Sequence, residues 1–180
     1  MNGGAVLVVG LGSPDRGDDA VGGDVARAVA AQALPGVEVV EHEDPTDLIE
    51  LFSGRSLVVV VDAVRSGTGT GTVRVLETGV GGEPLPETAW AGTGRAGTHA
   101  FGVAAAVELA RALRRLPPRV VLVGVEAAAF DYGAPLTPEV AAAMPDAVDA
   151  VLCATGRGGL PTAPMVGLPT DARMGTDVSR

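Results

Sequence analysis

The stretch Val6–Asp24, VLVVGLGSPDRGDDAVGGD, runs from an apolar, β-branched segment through a glycine-bearing loop into a helical pattern. Strand, tight loop and helix in that order open a βαβ unit, and the loop is where such units often hold a phosphate. A phosphate site needs backbone N–H groups, a helix N-terminus and usually a cation, because the ligand brings negative charge into a tight turn. This loop carries the opposite sign. Gly10 and Gly12 match the first two glycines of G-x-G-x-x-G, but the third position falls on Asp15. Gly12 and Gly17 have the spacing of a G-x-x-x-x-G loop, yet Asp18 and Asp19 stand where Lys and Ser/Thr should follow. Two carboxylates there repel a phosphate and suit a helix cap or a cation. Asp18 is expected as the N-cap, which leaves Asp19 in the first turn.

The same alternation continues outward. Apolar, β-branched runs begin at Ala5, Val37, Leu57 and Arg119 and predict strands, and the more alternating GTVRVLE, 71–77, predicts a further, less buried one. Helical patterns lie between them over 18–34, 45–52, 99–116 and 137–154; in the last, Pro138 fits the first helical position and Glu139 the first turn. Strands alternating with helices imply an α/β fold: a single-domain, three-layer sandwich whose twisted, mostly parallel sheet carries helices on both faces. Residues 79–97, rich in Gly, Pro and Thr, form a long loop that leads to His99. From 156 to 180 no period remains, and the segment reads as a disordered tail after a domain over 1–155.

Composition narrows the function. The 180 residues are 47% hydrophobic but only 3% aromatic, so the core is built from Val, Ala and Leu. A net charge of −9 and a pI near 4.6 argue against nucleic acid and anionic membranes as partners. All 13 basic residues are Arg, which removes Schiff-base and P-loop lysine chemistry. A single Cys, Cys153, excludes an internal disulfide framework; it falls in the apolar pattern of the last helix and reads as core. Neither a signal peptide nor a membrane span is visible, so a cytoplasmic protein is expected.

Ligands of an open parallel sheet bind outside the carboxyl ends of its strands. Three polar residues map to that edge: Asp19 after the first strand, Asp62 at the end of LVVVVD, and His99 at the entry to a helix. Each has a plain structural role available, as a first-turn acid, a loop anchor and a carbonyl donor respectively. Together, two carboxylates and one imidazole make an O,O,N set for a divalent transition metal with open positions. His42, in EHEDPTD, lies at the same edge, and a solvated acidic loop is the simpler reading for it. No G-x-S-x-G elbow exists, and nothing in the sequence points to a serine that would complete a triad with His99.

GLGSPDRGDDAVG, VVVVDAV, GTHAFGV and VVLVGVEAAAFDYGAPLTPEVAAAM, in this order, resemble the motifs of the endopeptidases that mature the large subunit of NiFe hydrogenases. The resemblance covers about Val6 to Ala154. It implies a metal site at the sheet's carboxyl edge that, carried over by position, consists of Asp19, Asp62 and His99, both as metal ligands and as the catalytic set of a peptidase classed as aspartic. It also implies the partner, a nickel-loaded hydrogenase large-subunit precursor that loses a short C-terminal extension. The nickel belongs to that precursor, and no nucleotide or organic cofactor is expected. The chain departs from the family pattern in having Ser13 for Asn, Asp19 for a frequent Glu, EHEDPT in the loop after the second strand, and no Pro after VVLVGVE. The competing class is a non-catalytic or nucleotide-binding Rossmann-like module, which would keep the fold and lose the metal.

Overall fold

The computed structural model describes residues 5–85, 90 and 102–158. In chain order these form β1 (Val6–Leu11), a 3-10 turn (Gly17–Ala20), α1 (Val21–Ala30), β2 (Val37–His42) and a second 3-10 turn (Pro45–Asp47). There follow α2 (Leu48–Leu51), β3 (Leu57–Val64), β4 (Val73–Thr78), α3 (Val103–Ala112), β5 (Arg119–Glu126) and α4 (Pro138–Ala154). The strands make one sheet in the order β2-β1-β3-β5-β4, with β4 antiparallel to β5 and the other pairs parallel.

Helices cover both faces, as expected from strands that are apolar throughout. Val59, Val61 and Ala63 of β3 pack with Val21, Val25 and Val29 of α1 and Val140, Ala147 and Val151 of α4. The alternate residues Val58, Val60 and Val64 face Leu48 and Phe52 around α2 and Val103, Ala106 and Val107 of α3. Every residue of β3 is buried, whereas β4, at the sheet's edge, buries Val73, Val75 and Thr78, half-buries Arg74 and Leu76 and exposes Glu77.

With few aromatics to fill space, the layers close by direct approach of backbones. A Cβ at Gly22 of α1 would lie 2.6 Å from the Val61 carbonyl oxygen and collide with that of Leu11. One at Gly10 would strike the Gly22 carbonyl. The glycines of the opening motif thus seat α1 on β1 and β3. Gly22→Ala is expected to lower the urea midpoint, at a cost of roughly 2–3 kcal/mol, because both obstructing atoms are backbone and neither can swing aside.

Three helices are shorter than their patterns, α2 because its first turn, Pro45–Asp47, is 3-10. α1 stops at Ala30 before Ala33 at φ 48, and α3 stops at Ala112 before Arg114 at φ 57. α4 has the expected bounds, with Thr137 as N-cap and Pro138 at the first position. Among the described residues no helix is long and apolar enough to cross a membrane. Most of the tail read as disordered, 159–180, lies outside the described residues.

Candidate active site

The carboxyl end of β1 and the 3-10 turn that follows it place Asp19. Gly12, at φ 118, turns the chain so tightly that a side chain there would collide with the Asp19 carbonyl oxygen. In return Asp19 Oδ2 accepts the Ser13 N–H at 3.0 Å, and Asp19 is only 8% exposed.

Asp18 is not the cap expected of it. Arg16 is the N-cap of the turn and makes no side-chain cap bond, while the Asp18 carboxylate, wholly buried, reaches across to the segment after β5. There it accepts the N–H groups of Ala128, Ala129 and Thr137 at 2.9, 3.0 and 2.7 Å and the Thr137 hydroxyl at 3.1 Å. Burial pushes its carboxyl up, but these bonds outweigh it and hold the group below the usual carboxylate range. Four donors converging from another loop are a better use of the charge than one orphan N–H of its own turn. The strut is mutual, since the Asp18 N–H donates to the Ala129 carbonyl and the Gly133 N–H to that of Asp15.

β3 places Asp62. It has the same facing as Val60 and Val64, toward α3, and is paired in register with Gly124. It is 7% exposed. Burial pushes its carboxyl up to about 7, the Asp19 carboxylate adds to the rise, and bonds from the Trp90 indole and the Ala63 backbone oppose it. Asp19 and Asp62 are thus near enough to feel each other's charge.

His99 lies outside the described residues, so the third member of the set is not placed. Among the described residues no three His, Cys, Asp or Glu side chains group as a metal site. α3, which begins four residues after His99, packs on the sheet face that bears Asp62. His42 pairs its Nδ1 with Asp47 Oδ2 at 2.8 Å, as befits a residue of its own acidic loop. Cys153 is half-buried rather than part of the core.

A model of the family described as hydrogenase maturation protease matches residues 37–154. The chain belongs to the hydrogenase maturation protease family. This maturation protease is also similar to solved structures of the same kind. The hydrogenase maturating endopeptidase HybD from E. coli is 25% identical with a TM-score of 0.68, covering 84% of this chain and 92% of that one. The hydrogenase 2 maturation peptidase from Thaumarchaeota archaeon SCGC_AB-539-E09 is 28% identical with a TM-score of 0.61, over 85% and 99%. The NiFe hydrogenase maturation protease HybD from Thermococcus kodakarensis is 28% identical with a TM-score of 0.60, over 83% and 99%. No curated protein matches by sequence. The protein is therefore a peptidase, and the Rossmann-like binding module is set aside.

The maturation protease also uses residues that sequence reasoning passed over. Glu126, at the end of β5 and 3% exposed, accepts the N–H groups of Ser66 and Gly67 and the hydroxyls of Ser66 and Thr68. Burial pushes its carboxyl up, and these bonds more than offset that and hold it low. Arg65 donates to the Ala128 carbonyl at 2.8 Å and lies 4.3 Å over the Phe130 ring. With Asp18, these two fix the loops that frame the edge of the sheet. A carboxylate ending VVLVGVE was a signal of the same kind as Asp62; its meaning depended on donors some 60 residues away.

Proposed function

We propose that this protease removes a C-terminal extension from the large-subunit precursor of a NiFe hydrogenase, and that Asp19, Asp62 and His99 recognise the nickel the precursor carries. The observation that carries the reading is the juxtaposition of two nearly buried carboxylates, Asp19 and Asp62, at the carboxyl edge of the sheet, one of them raised to about 7. Like charges brought together out of water invite a cation, and His99, four residues before α3 in the sequence, supplies the nitrogen donor that nickel favours over magnesium or calcium. The substrate brings the metal, so the protease needs only an incomplete ligand set that the precursor's own ligands complete. Asp62 gives up its proton as the cation approaches, and Asp19, held by Ser13, needs little rearrangement to join it. Water beside the scissile bond is the attacking group in this reading, with the metal as Lewis acid and a carboxylate as proton acceptor.

The deciding experiment is incubation with nickel-loaded and nickel-free precursor followed by intact mass. Cleavage of the loaded form alone is expected, with His99→Ala still folded by circular dichroism and at least 100-fold slower. Equal cleavage of both precursor forms, or normal cleavage by His99→Ala, would sink the metal-recognition reading while leaving the peptidase assignment intact.

A further inference from the structure

Trp90 is the chain's single tryptophan and is 5% exposed. It packs with Val64, Leu85, Val103 and Leu122 on the α3 face of the sheet. A missing side chain makes its place. Gly124, the register partner of Asp62, could not carry a Cβ: that atom would lie 2.7 Å from the indole Cη2, 3.1 Å from Cζ2 and 3.0 Å from Val64 Cγ1. The six-membered ring therefore rests on bare backbone beside Asp62, and the indole Nε1–H donates to Asp62 Oδ2 at 3.4 Å.

The chain from Thr78 to Leu85 is strapped to α3. Glu108 Oε1 accepts the Leu85 N–H at 2.9 Å. Arg111 donates to the carbonyls of Gly79 and Gly82 at 2.6 and 3.1 Å and to the Thr78 hydroxyl at 3.0 Å. A carboxylate's terminal torsion is soft, so its plane is set by whatever bonds its oxygens. A rigid indole clamped over Gly124 is suited to set it, and any apolar ring would fill the same space without doing so.

We propose that Trp90 is a positioning residue for Asp62: its indole N–H holds one carboxylate oxygen and so orients the other toward the metal-bearing substrate, in a slot that Gly124 keeps open. The proposal rests on the reading of Asp62 as a substrate-contacting residue. Because the chain has one tryptophan, growth on benzothienylalanine replaces the N–H of this residue alone by sulfur, at nearly constant shape. The substituted full-length protein is expected to melt like the wild type and to lose 10- to 100-fold in kcat on nickel-loaded precursor, with KM little changed, as misplacement of a reacting group predicts. In parallel, the single indole ¹H–¹⁵N signal is expected to move in Asp62→Ala and to stay in Asp47→Ala. Wild-type kcat in the substituted protein overturns the proposal, and so does an indole signal indifferent to Asp62→Ala. Cleavage of nickel-loaded and nickel-free precursor by the wild-type protein is read separately: equal cleavage of both, together with the kcat loss, sinks metal recognition by Asp62 and retains the positioning role. Failure of the wild-type protein to cleave any precursor sinks the functional reading, and the indole signal still decides whether Trp90 holds Asp62.

Discussion

Asp18→Ala is expected to destabilise the protein by about 2–4 kcal/mol in urea unfolding, more than a change at any exposed carboxylate. The substitution removes the acceptor of three backbone N–H groups and one hydroxyl at once, at a position that is wholly buried. The same bonds fix the sign of the acid response. A carboxyl held low in the folded state contributes stability above its unfolded value, and that contribution disappears as pH falls through the folded one. Asp18 and Glu126 are both held low, so the wild-type protein is expected to weaken steeply below about pH 4. Asp18→Asn, already deprived of the charge, should show a shallower acid limb. Parallel acid limbs for the two proteins would show that the strut is not ionic.

Asp62→Asn is expected to do the reverse for stability while abolishing cleavage. Burial lifts this carboxyl from its ordinary 3.8 to about 7, so ionising it costs the folded state. Its contribution is full below the unfolded value and is lost as pH rises through about 7. The asparagine carries no charge to desolvate and keeps an oxygen for the Trp90 indole. A gain of about 2–4 kcal/mol over wild type at pH 8, vanishing near pH 4, is expected from melting curves. Processing of a nickel-loaded precursor should fall by at least 100-fold in the same variant. A variant no more stable than wild type at pH 8 would mean that Asp62 is already satisfied in its ionised form.

The fold was legible because its signals are short-range. The β-branched runs at Val6, Leu57 and Arg119 became central parallel strands, and Pro138 opens α4 as its fixed φ allows. Asp19 and Asp62 could be assigned to one edge of the sheet because the topology of an open sheet gathers strand ends there, whatever the spacing in sequence. Asp18 was misread for the opposite reason. Capping is a local rule, and the donors that claim this carboxylate sit 110 to 119 residues further along. Trp90 is hidden from sequence for a similar cause. A lone tryptophan in a Gly/Pro/Thr-rich stretch has no period, and only the pairing of Asp62 with Gly124 reveals the slot it fills.

The Asp18 strut also bears on timing. A bond closing more than a hundred residues of chain meets its entropy cost only after both ends have been made and the sheet between them has formed. During synthesis β1, β2 and β3 can dock on one another while Ala128 is still unmade, and Asp18 then has none of its four donors. The rim at the sheet's carboxyl edge is thus expected to mature after the scaffold. Pulse-labelled hydrogen exchange during refolding should find the Ala128 and Ala129 amides protected later than those of β1 and β3. Simultaneous protection would show that rim and scaffold fold as one unit.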